Sequence, residues 1–231
     1  TTSSDSKTYD GDALTAGGSI SGFVNGETAD FKTTGTQTKV GSSTNTYAID
    51  WTAAGNTAKQ GNYTISENLG TLTVTETTDE IVATPGSYSG TYDGQAHGVD
   101  VTVTGLPEGY SVKNAVSYAT ATDVTDGVTA SVDELVVVNA QGEDVTANLK
   151  ITKGTGTIKI TPATLKVTTY GAKAEYDGSA LTADGKVTGF VNNEAATFTT
   201  TGSQTEVGSS TNYYAIDWND TAKESNYTIE E

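Results

Sequence analysis

The sequence contains no cysteine and no methionine, only three prolines, and few basic residues. Without cysteine, the chain forms neither a disulfide nor a zinc–thiolate site. Its 12 Lys and Arg residues are outnumbered by 29 Asp and Glu residues, and the formal net charge is −17. A negative field of this size repels nucleic acids and anionic membranes, which bind through clusters of basic side chains. The composition therefore excludes both as partners of this segment.

Long apolar runs are also missing. No stretch approaches the ~20 consecutive apolar residues that a membrane helix requires. The first residues, TTSSDSKTYD, lack the basic region and the apolar run of a signal peptide, so we expect any targeting or anchoring segment to lie outside this sequence. Only 34% of the residues are hydrophobic. This favours several thin β modules with narrow cores over one large core.

An internal repeat is the most informative feature that is present. The triplet Tyr-Asp-Gly occurs three times, with spacings of 83 and 84 residues between its tyrosines. Residues 9–51 align without gaps with residues 176–218, and 31 of the 43 positions are identical. Such similarity indicates a recent duplication and predicts a tandem array of related modules. The triplets comprise Tyr9, Asp10, Gly11, Tyr92, Asp93, Gly94, Tyr176, Asp177 and Gly178.

The repeats divide the chain into three predicted modules. Repeat A covers residues 1–77, repeat B covers residues 78–162, and repeat A′ covers residues 163–231. Repeat A′ lacks a counterpart of the last strand predicted for repeat A, Thr71–Thr75. The segments that join the repeats are short, so we expect neighbouring modules to stack end to end in an extended array.

Apolar residues alternate with polar ones in several short segments, as expected for strands with one buried face. Thr, Val, Ile and Tyr also favour β-strands. We therefore predict an all-β chain of three tandem small β-sandwich modules of the immunoglobulin-like type. A β-grasp-like module is the alternative, because residues 23–27 have room for a short helical turn. The alternating residues include Tyr47, Ile49 and Trp51; Tyr63 and Ile65; Leu72 and Val74; Val99, Val101 and Val103; and Ile158 and Ile160.

The Tyr-Asp-Gly triplet allows two interpretations. As a ligand site, the ring would stack on a sugar and the carboxylate would bind its hydroxyls. As a structural turn, Gly supplies a positive φ, Asp caps the turn through its side chain, and Tyr anchors the turn on the core. A structural unit that is copied in tandem favours the second interpretation.

Carboxylates offer candidates for a metal site. Asp79 and Glu80 lie at the junction of repeats A and B, and Asp123 and Asp126 flank a turn in repeat B. Calcium binds clustered oxygen ligands, so it is the one cofactor that the sequence leaves open, although no EF-hand loop is present. We expect no other cofactor. His97, the only histidine, is interpreted as a surface residue, because one histidine cannot build a metal site alone.

Two further interpretations stay open, and neither is catalytic. Solvent-facing tyrosines would suit a glycan or a host protein, because a ring offers an apolar face and a polar edge. Lysine and asparagine recur together in repeats A and A′, a pair that some bacterial surface modules cross-link covalently, although polar surroundings here favour ordinary surface roles. No nucleotide-binding, metalloprotease or nucleophile-elbow motif is present. The residues concerned are the tyrosines Tyr110, Tyr118, Tyr213 and Tyr214, and the pairs Lys59 with Asn62 and Lys223 with Asn226.

The segments YDGDALTAGGSISGFVNGETADF, TQTKVGSSTNTYAIDW and NYTISENLGTLTVT resemble the YDG/MBG-type repeats of large bacterial surface proteins. The end of repeat B, DVTANLKITKGTGTIKITPA, is similar to the second repeat type of such arrays. The resemblance implies an adhesin-like protein, often of Gram-positive bacteria, at the cell surface or in the cell wall. It implies a stalk role without catalysis, with neighbouring repeats of the same polypeptide as partners. The alternatives are a module that binds a host glycan or protein, and a filament subunit that exchanges a strand at repeat A′.

Overall fold

A computed structural model describes residues 1–231 of the chain. The prediction of an all-β chain is confirmed, since 41% of the residues lie in strands and the only helical segments are three short 3-10 helices. Those helices are Gln60–Asn62, Thr146–Asn148 and Glu224–Asn226. No helical segment has the length and apolar character that a membrane span requires.

In repeat A, a central strand pairs with one strand on each side. Strand β5 is parallel to β1 and antiparallel to β3, while β2 and β4 form a separate antiparallel pair. The side chains of Leu72 and Val74 in β5 are fully buried, as their alternation with threonine predicts. The strands are β1 (Asp5–Thr8), β2 (Asp30–Thr33), β3 (Gly41–Thr44), β4 (Tyr47–Asp50) and β5 (Thr71–Thr75).

In repeat B, the last strand, β15, lies between a parallel and an antiparallel neighbour, as β5 does in repeat A. Strand β15 is parallel to β7 and antiparallel to β12, which carries an irregularity between Thr125 and Val128. The other sheets have the strand orders β14-β6-β9, β10-β13 and β11-β8. The strands are β6 (Ile81–Pro85), β7 (Tyr88–Thr91), β8 (His97–Gly98), β9 (Val101–Thr104), β10 (Ser111–Val116), β11 (Thr120–Ala121), β12 (Thr125–Ala130), β13 (Glu134–Val138), β14 (Ile151–Lys153) and β15 (Gly156–Thr161).

Repeat A′ is built around its first strand. Strand β16 is antiparallel to β17 and parallel to β20, and β18 and β19 form an antiparallel pair that matches β2 and β4 of repeat A. Residues 172–175 and 208–211, which align with β1 and β3, are not in strands. The strands are β16 (Ala163–Thr169), β17 (Gly185–Thr188), β18 (Thr197–Thr200), β19 (Tyr214–Asp217) and β20 (Tyr227–Glu230).

Some predicted details differ from the structure. The alternation of Tyr63 and Ile65 with polar residues predicts a strand over residues 63–66 of repeat A, yet these residues are not in a strand. Their counterparts form β20, which has Ala163–Lys166 as a parallel partner. Residues 23–27, where the β-grasp alternative places a helical turn, form a plain turn with Asn25 and Gly26 at positive φ. The immunoglobulin-like tandem arrangement stays a prediction.

The contacts between residues divide the chain into two compact units. The first contains Thr1–Ala83, Val103–Asn114 and Leu135–Thr152. The second contains Thr84–Thr102, Ala115–Glu134 and Lys153–Glu231. The division runs through repeat B, whose strands β6, β9, β10, β13 and β14 contribute residues to both units. The three modules at 1–77, 78–162 and 163–231 stay a prediction drawn from sequence repetition.

Each unit has a core to which two repeats contribute. In the first unit, side chains of repeat A pack with side chains of repeat B; in the second, side chains of repeat B pack with side chains of repeat A′. Each core thus joins two repeats, instead of filling one repeat alone. The first core comprises Tyr9, Leu14, Leu72, Val74, Ile81, Val137, Val145 and Leu149, and the second comprises Tyr92, Ile160, Ala163, Leu165, Ala222 and Tyr227.

Candidate functional site: two tyrosine–asparagine joints

Each Tyr-Asp-Gly triplet forms a turn closed by its aspartate. The Oδ1 atom of Asp10 accepts a hydrogen bond from the backbone N–H of Asp12 at 2.9 Å, and Asp93 and Asp177 make the same bond to the residue two positions on. The glycine that follows has a positive φ of 72–88° in all three copies, a conformation that other residues adopt only with strain. The three triplets therefore share one local geometry.

The tyrosines of the triplets differ in their surroundings. Tyr9 is 8% exposed and Tyr92 is 5% exposed, whereas Tyr176 is 63% exposed. Tyr9 and Tyr92 are also fixed by their backbone, because each donates its N–H to the last carbonyl of the central strand beside it, at 2.8 Å. The first two tyrosines anchor their turns in the two cores, and the third lies on the surface.

The first joint lies in the first unit, where repeat A meets repeat B. The backbone N–H of Val40 donates to Oδ1 of Asn148 at 2.9 Å, and Asn148 is buried at the end of its 3-10 helix. Tyr9 and Leu149 belong to the same core, and burial is the main cause that raises the pKa of Tyr9. We call this contact the A–B joint: a tyrosine and a valine of one repeat against an asparagine of the next.

The second joint repeats the arrangement in the second unit, where repeat B meets repeat A′. The backbone N–H of Val124 donates to Oδ1 of Asn226 at 2.9 Å. The Nδ2 atom of Asn226 donates to Oδ1 of Asp123 at 2.8 Å, and Nζ of Lys223 lies 2.7 Å from the other oxygen of Asp123. The hydrogen bond from Lys223, followed by that from Asn226, lowers the pKa of Asp123. We call this contact the B–A′ joint.

A carboxylate bridges two tyrosines in the B–A′ joint. The hydroxyl groups of Tyr92 and Tyr227 both donate to Glu194, the latter at 2.7 Å, and their rings meet edge to face with centroids 5.5 Å apart. Burial, with the hydrogen bond to Glu194 as a further cause, raises the pKa of both phenols to about 12. Both phenols are therefore neutral hydrogen-bond donors at physiological pH.

The chemistry of the joints is that of a fixed connection. A buried amide such as Asn226, which is 0% exposed, is costly to bury unless its donor and its acceptor are both used. Here both are used, and by adjacent residues, Asp123 and Val124. The contact can therefore form in one register only. Sequence reasoning missed Asn148 and Glu194, although an asparagine that ends "DVTAN" and "AKESN" at like positions was a signal.

The acidic metal candidates lie apart from any cation site. No group of three or more His, Asp or Glu side chains in the chain is placed to hold a metal ion. Asp79 lies in the turn before β6, and Glu80 accepts a hydrogen bond from Thr152. Asp123 is engaged by Lys223 and Asn226, and Asp126 is exposed in β12. Calcium binding stays a prediction without a structural site to support it.

The other residues singled out in the sequence have local partners. His97 stacks on Tyr88 with centroids 4.1 Å apart, and its Nε2 lies 3.0 Å from Asp93. Tyr110 packs against the first core, Tyr118 and Tyr213 are exposed, and Tyr214 stacks on Phe198 and donates to Glu231. Lys223 is 64% exposed and pairs with Asp123, so the structure gives a covalent link to Asn226 no support.

An open cleft of about 590 Å³ lies in repeat A′. Residues 172–174 form one wall and residues 208–210 form another. Their counterparts in repeat A are β1 and β3, which hold β5 between them. The cleft thus occupies the position that a central strand takes in repeat A.

The fold and the joints define an all-β protein of tandem repeats. The end of one repeat that carries the Tyr-Asp-Gly tyrosine and the joint valine (its tyrosine end) packs on the end of the next repeat that carries the buried asparagine (its asparagine end). Residues 1–73 match the family model of the MBG domain (YGX type). The match confirms the predicted resemblance to YDG/MBG-type repeats for this part of the chain. MBG repeats occur in surface proteins and are not an enzyme family. No curated protein and no solved structure matches the chain.

Proposed function

We propose that this chain is a spacer segment in the stalk of a bacterial cell-surface adhesin. The observation that carries the proposal is the joint, because the same contact is made twice, by residues of different repeats. The family match to a repeat of the surface-adhesin type supports it. The partners of each repeat are its neighbours in the same polypeptide, and the chain itself has no catalytic role.

The spacer works through stiffness at the joints. A flexible linker between repeats would bend freely and shorten the reach of any tip. A joint closed by a buried aromatic ring and a buried amide gives each contact an apolar area and a register. Both features are present in the B–A′ joint through Tyr92 and Asn226. The acidic surface keeps neighbouring stalks apart by like-charge repulsion at the extracellular face of the cell wall.

Surface display tests the spacer role. A binding tip of known ligand is displayed on cells above one copy or two copies of the chain, and its ligand is presented on beads under a polymer brush. We expect capture of the beads to increase with the second copy, because reach increases. The matched control is a Gly-Ser linker with the same number of residues, which we expect to capture fewer beads. Equal capture by the linker, or no gain from the second copy, would reject the proposal.

The open cleft in repeat A′ supports a second candidate function, the acceptance of a β-strand. We infer that the cleft takes a strand with the pattern of Thr71–Thr75, parallel to residues 172–175 and antiparallel to residues 208–211. In repeat A, such a strand buries Leu72 and Val74 completely. The same geometry underlies strand addition between chains, and it would make the chain a subunit of a self-assembling filament.

A peptide tests the cleft directly. The peptide Asn-Leu-Gly-Thr-Leu-Thr-Val-Thr, residues 68–75, is added to the chain, and amide hydrogen exchange is measured. We expect protection to rise at residues 172–175 and 208–211. A control peptide with Leu72→Ser and Val74→Ser should give none, because its buried face is polar. A chain extended after Glu231 by the same eight residues should be protected without peptide. Strand acceptance is wrong if neither addition protects these amides.

A further inference from the structure

Repeat A carries a second copy of the residues with which repeat A′ closes the B–A′ joint. Six aligned positions of that surface are identical in the two repeats. They include the carboxylate, the lysine and the asparagine that bind repeat B in the second unit. The aligned pairs are Phe23 and Phe190, Glu27 and Glu194, Trp51 and Trp218, Lys59 and Lys223, Asn62 and Asn226, and Tyr63 and Tyr227.

The internal geometry of the two surfaces also agrees. Tyr63 stacks on Trp51 with centroids 6.1 Å apart and meets Phe23 edge to face at 5.2 Å; the same contacts in repeat A′ measure 6.1 and 5.4 Å. The hydroxyl of Tyr63 donates to Oε2 of Glu27 at 2.6 Å, as Tyr227 does to Glu194 at 2.7 Å. The surface of repeat A is therefore already in the conformation that binds a neighbour.

This surface has no neighbour in the structure. The side chain of Asn62 is exposed and makes no hydrogen bond, whereas the side chain of its counterpart Asn226 is fully buried and makes two. Lys59 makes no ion pair, whereas Lys223 pairs with Asp123. Tyr63 is half-buried, whereas Tyr227 is buried under Tyr92. The polar groups that close a joint are all present and all available.

We propose that this surface of repeat A, defined by Glu27, Lys59, Asn62 and Tyr63, is a docking site for the tyrosine end of a B-type repeat. The occupant presents the residues that Tyr92, Asp123 and Val124 present in repeat B. Its tyrosine packs on Tyr63 and donates to Glu27, its aspartate binds Lys59 and Asn62, and its valine N–H donates to Asn62 Oδ1. The inference rests on the proposed stalk function and extends it to the order of repeats.

Charge selects the type of repeat that docks. The residue before the joint valine is Asp123 in repeat B and Lys39 in repeat A. An A-type end would therefore bring Lys39 against Lys59, and like charges at a contact oppose association. A B-type end brings an aspartate to the same lysine, as in the pair of Asp123 and Lys223 at 2.7 Å. The site therefore favours a B-type repeat on the N-terminal side of repeat A, the same order as that of repeats B and A′.

The experiment uses a longer chain. Residues 78–167 are joined ahead of Thr1, so that Thr1 and Thr2 take the places of Thr168 and Thr169 in register. Asn62→Ala is then made in the original and in the extended chain, with Asn226→Ala as the matched variant. We expect Asn62→Ala to leave the melting temperature of the original chain unchanged. In the extended chain it should lower the melting temperature of the affected unit by about 2–4 °C or more, as Asn226→Ala does in both chains.

The original chain shows that the Asn62→Ala variant folds, so a loss seen only in the extended chain reports the joint. If Asn62→Ala is silent in both chains, the docking site is wrong. Sedimentation of the original chain tests another occupant, because the A′ end of a second copy carries Glu206 before an exposed Val207. If the original chain self-associates and Asn62→Ala abolishes the association, the occupant of the site is a second copy of the chain, and the proposed B-type repeat is wrong. The stalk proposal fails separately, in the display assay, whatever the outcome here.

Discussion

The most informative single residues are two buried asparagines that the sequence did not single out as a pair. Asn148 and Asn226 each end a 3-10 helix and accept the N–H of a valine from a different repeat. A buried amide does not make a contact strong, because its net contribution is about 1 kcal/mol when paired. It makes wrong contacts costly, because an unpaired amide loses its hydration without compensation. Asparagine at these positions therefore gives each joint its specificity, and the aromatic rings give it area.

Alkaline titration tests the tyrosine pair of the B–A′ joint. The pKa of Tyr92 and of Tyr227 is about 12 in the folded chain, against 10.0 ordinarily. Because the folded value is the higher one, the stability that these phenols contribute is complete below pH 10 and is lost as pH rises through 12. We expect the ultraviolet signal of tyrosinate to appear in two stages, with the last tyrosines ionising as the second unit unfolds.

Glu194→Gln is the control for that titration. It removes the carboxylate that faces both hydroxyls, so we expect the late stage to move towards lower pH. The buried contact of Tyr92 and Tyr227 with Glu194 is wrong if all 12 tyrosines ionise together near their ordinary pKa while the chain is still folded.

At the scale of strands, alternation predicted which side chains are buried, but not which strands pair. Leu72 and Val74, and Ile158 and Ile160, are fully buried, as their period of two implies. Parallel pairing of an early with a late strand, as between β1 and β5, depends on contacts between residues far apart in sequence, which a local pattern does not contain. For the same reason, alternation predicts a strand over residues 63–66, although these residues are not in one. Their counterparts in β20 pair with Ala163–Lys166.

The central strand of repeat B offers a test of close packing. A Cβ atom on Gly156, the first residue of β15, would lie 1.9 Å from the carbonyl oxygen of Gly86. Because backbone cannot yield as a flexible side chain does, we expect Gly156→Ala to lower the free energy of unfolding by about 1–3 kcal/mol or more. Denaturant unfolding of the purified variant measures it.

Gly61→Ala is the matched variant, since a Cβ atom on Gly61 meets nothing within 4 Å and its φ is not positive. We expect its unfolding free energy to stay within about 0.5 kcal/mol of the parent chain. If the two variants are equally stable, the close approach at Gly156 is absent in solution.

For the whole molecule, sequence repetition and compact structure divide the chain differently. Self-comparison detects residues of common origin, and it places boundaries where the similarity restarts. Compactness depends on where apolar side chains pack. Across repeat boundaries, Tyr9 shares a core with Leu149, and the ring of Tyr92 contacts that of Tyr227. The family resemblance and the all-β class followed from the sequence. The joints did not, because their partners lie about a hundred residues apart, as Val40 and Asn148 do.

The division of the two units within repeat B has a consequence for how such a chain changes length. Recombination copies whole repeats, but each compact unit combines parts of two neighbouring repeats. Loss of repeat B alone would bring Lys39 of repeat A against Lys223 of repeat A′, two cations where the present joint has an ion pair. Loss or gain of an A repeat together with a B repeat keeps an A-type repeat next to a B-type repeat at every joint. We expect inherited variation in the number of repeats to occur in steps of two.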